Sequence, residues 1–550
     1  MKIALVSMNV KATRCEENFK YMCQKIEEAK EKGADMIVFP QNAISGYLLA
    51  ERWLDDAWCR YVDSFNERLV ALSEDIAIVW GNLRYRNQRR FNAGFFAYQG
   101  VTHMRVKKNE ISEYMNDTLY FENNDINSAI EFKDMVFALN FGKELQLADL
   151  NINLDCHPFD MDEQRTYMGN VVYVNACGAQ NSGKQVKIME GGSYCYRNHE
   201  LLYEAPYFKD EMDIVDLNTA TSVKSKEPVL LDALLMGIKE FDELVFPAYM
   251  PWIIGLSGGL DSSVTAALLA MALGSDRIHG YNMPTHYNSE QTMDNAQKEA
   301  EALGIHYHKG AISQMVSDMK DQFQEAFDFD VNQMPSLVQE NLQARIRGFV
   351  LNGISSMLGG VVVNNANMVE AALGYCTLYG DSIGALSIIG DLDKVTLFEL
   401  SKQINERSNK EIVPYNLLPE IQGDKIYWEM MPSAELKDAQ KDPMKWFYHD
   451  ALLNFIRLGD TKSSLIMKYR KGILQENVGH WLRYYHIENE HDFIEDLNWL
   501  WNTMERNAFK RLQLPPCITL HTKTITGRVS SQGRLKEEDQ LKLNQIQKIS

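Results

Sequence analysis

Gly255-Leu256-Ser257-Gly258-Gly259-Leu260-Asp261-Ser262-Ser263 is the stretch on which the reading of this chain turns. An apolar run, 251–255, leads into it, and an apolar helical stretch, 262–273, follows. A strand that turns through two adjacent glycines into a helix aims successive backbone N–H groups at one concavity. The helix N-terminus adds positive potential there. Such a nest grips a pyrophosphate without needing a lysine. It is not a Walker loop, because the lysine of GxxxxGK[ST] is missing, nor a dinucleotide fingerprint, because GxGxxG is missing. Asp261 beside bound phosphates would repel them unless a cation intervenes, so Mg²⁺ is expected with the nucleotide. Ser262 or Ser263 is expected to cap the helix. The bland alternative, a glycine-rich helix entry that binds nothing, fits the strand–turn–helix context less well.

Working outward, helices over 231–244, 290–303 and 338–358 alternate with strands over 277–283, 305–309 and 360–364. That order predicts a doubly wound parallel sheet. Upstream, strands over 2–9, 34–39, 76–81, 93–98, 136–141, 150–154 and 171–175, with a helix over 15–32, predict two sheets with helices outside. The fold class is α/β throughout. The expected domains are 1–220, a linker at 221–235, a nucleotide-binding domain at 236–516 and a tail at 517–550. With 550 residues, 45% hydrophobic and 24% charged, the chain is too long for one core and too apolar to be disordered.

Lys+Arg number 56 against 75 Asp+Glu, a net charge of −19. That excludes broad nucleic-acid binding and an anionic membrane surface as the main partner, though a local pocket can still hold a small anion. The eight cysteines show no CxxC spacing, so neither a disulfide framework nor a zinc site is expected. MKIALVSMNV lacks signal-peptide architecture, and the longest apolar stretch, 264–273, is too short to span a bilayer. A cytoplasmic protein is expected.

Further motifs follow the glycine turn in order. They are Met283-Pro284-Thr285-His286-Tyr287-Asn288-Ser289, Glu340-Asn341-Leu342-Gln343-Ala344-Arg345-Ile346-Arg347 and Gly374-Tyr375-Cys376-Thr377-Leu378-Tyr379-Gly380-Asp381. Then come Asp391-Leu392-Asp393-Lys394, Pro432-Ser433-Ala434-Glu435-Leu436 and Phe509-Lys510-Arg511-Leu512-Gln513. With the SGGxDS loop these resemble the ATP pyrophosphatase family, and within it NAD synthetase. The resemblance implies ATP-dependent amidation of deamido-NAD. ATP adenylates the carboxylate, pyrophosphate leaves, and ammonia displaces AMP. By matched position, the ATP-binding residues would be Gly255, Leu256, Ser257, Gly258, Gly259, Leu260, Asp261, Ser262, Asn365, Lys394 and Ser433. Asp261 and Glu370 would hold Mg²⁺, and Lys394 and Asp381 would act in catalysis. Asn341, Arg345, Glu370, Tyr375, Leu378, Asp381 and Lys510 would line the substrate site. Each has a plain reading too: Arg345 as a surface helix charge, Lys394 as an exposed loop lysine, Glu370 as a solvated residue. A homodimer, or a higher homo-oligomer, is likewise implied. One segment departs from the family's TGNxSE, reading Asn365-Ala366-Asn367-Met368-Val369-Glu370. The metal carboxylate is kept, but a threonine has become Asn365.

The first 220 residues resemble the nitrilase-type glutaminase joined to many NAD synthetases, an α-β-β-α sandwich. Gly33-Ala34-Asp35-Met36-Ile37-Val38-Phe39-Pro40 and Ser45-Gly46-Tyr47 carry this likeness. An active member needs a Glu base, a Lys and a Cys nucleophile. The base position holds Gln41, and a carboxamide cannot take a thiol proton at neutral pH. Lys108 falls at the lysine position. The nucleophile position, around Asn140-Phe141-Gly142, has no thiol, and Cys156 is read as a structural cysteine. No glutamine hydrolysis is expected. This degenerate domain would serve as a scaffold or shelter an ammonia route, unless a separate glutaminase docks. Two other readings are an ATP-dependent amide- or adenylate-forming enzyme acting on another carboxylate, and a nucleotide-binding pseudoenzyme.

Overall fold

The computed structural model describes residues 1–124, 129–219, 229–422, 425–433, 435–437 and 442–527. Residues 221–228 of the linker expected at 221–235, Ala434 and the tail beyond 527 lie outside them, while the rest of that linker, from Leu230, opens a helix. Contacts divide the chain into two units. The first takes in Met1–Pro247 and Thr519–Thr522, the second Ala248–Ile518 and the described residues from Lys523 on.

In the first unit the strands are β1 (Lys2–Ser7), β2 (Met36–Val38), β3 (Ala77–Arg86), β4 (Arg89–Tyr98), β5 (Val101–Val106), β6 (Ile130–Phe132), β7 (Met135–Phe141), β8 (Leu150–Asp155), β9 (Val171–Asn175), β10 (Cys177–Ser182), β11 (Gln185–Glu190), β12 (Tyr194–Arg197), β13 (Glu200–Glu204) and β14 (Glu211–Asp216). Its helices are α1 (Cys15–Glu31), α2 (Asp56–Val70) and α3 (Leu230–Val245). Two six-stranded sheets form, ordered β14-β1-β2-β3-β4-β5 and β13-β12-β9-β8-β7-β6.

Strand alternation explains the layers. Ile3, Leu5, Val38 and Val79 face Phe137, Leu139, Ile152 and Val174 between the sheets. Ala4, Val6, Ile37 and Trp80 turn the other way, onto Met22 and Ile26 of α1 and Phe65 and Leu69 of α2. The expected sandwich with outer helices is therefore present. The boundary differs from the expected one. Helix α3 packs on the β10–β11 hairpin, and its Glu240 accepts from Lys11 Nζ at 2.6 Å and Asn9 Nδ2 at 2.8 Å. Amphipathic spacing shows that a helix has a face to bury, not which sheet it meets, so residues 236–247 go with the first unit.

In the second unit the strands are β15 (Trp252–Gly255), β16 (Ile278–Asn282), β17 (His306–Lys309), β18 (Val361–Asn364), β19 (Leu386–Ser387), β20 (Glu420–Gln422), β21 (Lys425–Tyr427) and β22 (Cys517–Thr519). The helices are α4 (Leu260–Leu273), α5 (Glu290–Leu303), α6 (Ser313–Glu325), α7 (Ser336–Leu358), α8 (Met368–Leu373), α9 (Lys394–Ser408), α10 (Tyr448–Leu458), α11 (Lys462–Arg470), α12 (Ile473–Tyr484), α13 (Glu490–Arg506) and α14 (Ala508–Arg511). The order β22-β19-β18-β15-β16-β17 is parallel at every pairing, so the expected doubly wound sheet is present. Helices connect its strands, as parallel pairing demands. β15 lies centrally, which puts the glycine turn at the carboxyl edge of the sheet, where such folds bind ligands. No described helix is long and apolar enough to cross a membrane.

Candidate functional site

The glycine turn is held open from behind. Gly258 has φ +83°, and a Cβ there would come within 1.9 Å of Thr292 O on α5, so only glycine fits. Ser262 Oγ accepts from Ser257 N at 3.3 Å and donates to Gly259 O at 3.0 Å, bracing the turn internally. Gly259 is the N-cap of α4, without a side-chain cap. The expected cap by Ser262 or Ser263 is thus corrected. Ser262 is used by the turn, and Ser263 donates to Glu299 Oε2 at 2.6 Å in the core. Leu256 is corrected as a phosphate donor as well, because its N–H donates to Tyr281 O at 3.0 Å. The amides of Leu260, Asp261 and Ser262, in the first turn of α4, have no helical carbonyl to bond and remain for an anion.

Three charged side chains meet beside that turn. Lys394 Nζ donates to Asp261 Oδ2 at 2.6 Å. Asn367 Nδ2 reaches Asp261 Oδ1 at 3.3 Å, while its Oδ1 accepts from Val369 N and Glu370 N at the start of α8. Glu370 Oε2 returns to Asn367 N at 3.2 Å, completing a capping box. Asp261, Glu370 and Lys394 are thereby brought together. Desolvation, with Asp261 nearby, raises the Glu370 carboxyl well above the ordinary range, and Lys394 opposes that rise. Burial alone would lower the Lys394 ammonium, but Asp261 and Glu370 outweigh it and keep it charged. Lys394 is only 2% exposed, so its plain reading as a loop lysine is set aside. Asn365 Nδ2 donates to Gly255 O at 3.0 Å, and its Oδ1 is buried without a partner among the described residues.

A segment that the motifs did not single out completes this corner. Asp450 Oδ1 accepts from Lys394 N at 2.8 Å, and the Lys394 ammonium lies 5.1 Å from the Trp446 ring centre. Tyr375 donates its hydroxyl to Asp442 Oδ1 at 3.3 Å, and Asp442 adds negative potential on both Glu370 and Lys394. Burial, then Asp393, pushes Asp450 up to about 7. Asn367-x-x-Glu370 is a capping-box spelling, readable in advance. Asp442 through Asp450 had no comparable signal beyond two acids flanking an aromatic run.

The expected substrate residues surround the loop 374–381, and several hold it in shape. Thr377 N donates to Asp381 Oδ1 at 2.6 Å, and Thr377 Oγ1 to Asn341 Oδ1 at 2.7 Å. Arg345 Nε reaches Leu378 O at 3.3 Å from an exposed position. Lys510 Nζ donates to Gly374 O at 2.9 Å and Cys376 O at 2.7 Å. Ser433 is exposed and accepts from Glu435 N at 3.2 Å. Glu435 in turn accepts from Thr292 Oγ1 at 2.8 Å, above the start of α5. Ser433 is thereby linked, through Glu435, to the start of α5, which backs the glycine turn.

At the positions that the sequence likeness assigned to the glutaminase, the first unit holds two amides, Gln41 and Asn140. Gln41 is buried, and its side-chain nitrogen finds no acceptor among the described residues. Asn140, also buried, donates to Asn151 Oδ1 at 2.7 Å and accepts from Gln146 Nε2 at 2.8 Å. Lys108 is exposed, whereas its neighbour Lys107 is buried and pairs with Asp117 at 2.8 Å and Glu110 at 2.7 Å. Burial pushes the Cys156 thiol far above its ordinary value, which disfavours the thiolate a nucleophile requires.

Comparison with known proteins agrees with this division. Residues 248–484 match the NAD synthase family, and residues 2–95 match the carbon-nitrogen hydrolase family. The chain joins a carbon-nitrogen hydrolase domain to an NAD synthase domain. The glutamine-dependent NAD(+) synthetase of Acinetobacter baylyi is 26% identical over 477 residues, covering 80% of this chain and 84% of that protein. That of Synechocystis is 25% identical over 497 residues, covering 80% and 85%. A glutamine-dependent NAD(+) synthetase structure from Cytophaga hutchinsonii has a TM-score of 0.78 at 16% identity and covers 99% of both chains. One from Acinetobacter baumannii has a TM-score of 0.68 at 22% identity, covering 96% and 99%; at these identities the two structures speak for the fold. The NAD synthase domain is that of an NAD synthetase-like ligase.

Proposed function

We propose that the NAD synthase domain converts deamido-NAD to NAD with ATP, using free ammonia rather than glutamine. The observation that carries this is the Lys394 ammonium beside Asp261 and Glu370 at the mouth of the glycine turn. A carboxylate attacking an α-phosphate is an encounter of like charges, and positive charge must be waiting there. The free amides at the start of α4 receive the pyrophosphate that departs. Lys394 stabilises negative charge as the carboxylate oxygen bonds to the α-phosphorus. Ammonia then attacks the carbonyl carbon and AMP leaves, giving the amide.

The donor set suits Mg²⁺, a hard cation that prefers oxygen. Asp261, Glu370 and Asp442 outnumber the single ammonium among them, and burial first, then Asp261 and Asp442, raises the Glu370 carboxyl. Among the described residues no three such side chains gather tightly enough to hold a metal alone, so phosphate oxygens would complete the shell. Bound there, the ion would draw electron density from the phosphates, as a Lewis acid does.

Ammonia as donor rests on Gln41, on the Asn140 amide network and on the inert Cys156. Product analysis tests both parts, with deamido-NAD, ATP, Mg²⁺ and either ammonium or glutamine. NAD and AMP should form with ammonium alone. Equal turnover with glutamine, where free ammonia is scarce, would refute the donor assignment. Absence of AMP with deamido-NAD, but not with another acid, would refute the substrate.

A further inference from the structure

The carbon-nitrogen hydrolase domain holds a cavity of about 410 Å³ between the segment 160–167 and the outer face of β9 and β12. One wall is aromatic. Tyr173 and Tyr194 stack at 4.9 Å between ring centres, and Tyr167 meets Tyr194 edge-on at 5.0 Å. Arg165 closes a side and is fully engaged, pairing with Glu190, Glu204 and the Gly192 carbonyl. Two other cations line the space, and both converge on one carboxylate. His157 Nε2 lies 2.8 Å from Glu163 Oε2, and Lys143 pairs with Glu163 Oε1.

The anchoring on the two sides of this contact is unequal. The His157 backbone is fixed in both directions by Asn175 of β9, donating to its Oδ1 at 2.8 Å and accepting from its Nδ2 at 3.1 Å. Glu163 comes from an exposed stretch without regular structure. Burial alone would lower the imidazole, but Glu163 and Asp155 raise it to about 9, so it is charged at neutral pH. Cations set beside a strand therefore hold a carboxylate that a loop merely lends.

We propose that this cavity binds a small carboxylic acid with a flat, unsaturated body. The ligand carboxylate replaces that of Glu163 between His157 and Lys143, and the ring packs against the aromatic wall beside Arg165, whose guanidinium lies 5.4 Å from the Tyr194 ring centre. Glu163 is then a built-in competitor. The amidation proposed for the other domain uses none of these residues, so the two ideas stand or fall separately.

Calorimetric titration of the full chain with benzoate tests this. Glu163→Gln removes the competing charge and keeps the side-chain shape, and should tighten benzoate binding about tenfold, the worth of a charge-assisted contact. Adding His157→Gln to that variant should weaken binding again by about tenfold or more. Melting curves like the parent's establish that each variant is folded. Benzoate affinity unchanged by Glu163→Gln, or no saturable heat with that variant at millimolar benzoate, overturns the site. Equal affinity for cyclohexanecarboxylate, or preference for glutamine, overturns the ligand class.

Discussion

The corner at Gly255–Asp261 and the end of β7 both lie where a strand ends, and they differ in the polar side chains they gather. At the first, the side chains of Asp261, Glu370 and Lys394 are set against one another, with Lys394 bonded to Asp261. At the second, Gln41 and Asn140 are buried amides; elsewhere in the same unit the buried Lys107 is tied to Asp117. Both sandwiches of layers are nevertheless fully built. Layer packing depends on the alternating apolar residues behind the corner, whereas chemistry depends on the few polar ones in front. The fold of a domain therefore does not by itself fix its reaction.

The sharpest way to break this contrast is Lys394→Met. Turnover, followed as pyrophosphate release, should fall by about a thousandfold, as when a preorganised charge is removed from a developing anion. A melting temperature near the parent's would show that the loss is chemical.

Next in size is Lys107→Ala. It strands the buried Asp117 carboxylate and should cost about 3–5 kcal/mol in urea denaturation. Lys108→Ala, one residue on, should stay within about 0.5 kcal/mol. Equal effects of the two would mean that the exposed and buried lysines have been exchanged.

Glu299→Gln puts into the NAD synthase domain a buried amide like Gln41 of the first unit. Burial pushes Glu299 up to about 8 from an ordinary value of 4.5, with Ser263 opposing. Above 4.5 the unfolded chain releases a proton that the native one retains. Stability from this group is thus full at low pH and declines as pH rises toward 8. The variant lacks that decline, so its melting temperature should gain on the parent's by a few degrees on going from about pH 5 to about pH 8. An unchanged difference would show Glu299 to be ionised in the native core. Smallest of all, Cys156→Ser should leave ammonium-supported turnover as it is.

Much of this was legible in the sequence. Alternation in 2–9 and 171–175, and the glycine turn between apolar runs, dictate layers and ligand edge directly, because period and backbone freedom are local properties. The Asp261, Glu370 and Lys394 cluster followed from motif likeness, and the structure brings the three together. Three things were not legible. Lys107 and Lys108 differ by one step along an extended segment, and that step exchanges core for solvent. The Leu256 amide is consumed by Tyr281, a sheet contact that no turn motif announces. Asp442, Trp446 and Asp450 reach Lys394 from about fifty residues away, a distance only tertiary folding closes.

Asn507, Lys510 and Arg511 send their side chains onto the carbonyls of Leu373, Gly374, Cys376 and Ala372, finishing a helix end that lies 134 to 139 residues earlier. During synthesis that helix end waits with its oxygens bare while the ribosome completes most of the remaining chain. A message cut short before codon 507 would yield a glycine turn, an acidic corner and a sheet, yet no finished rim around 374–381. Strand β22, which joins the same sheet, would be missing from such a product too, so rim and sheet edge are completed together, late in synthesis.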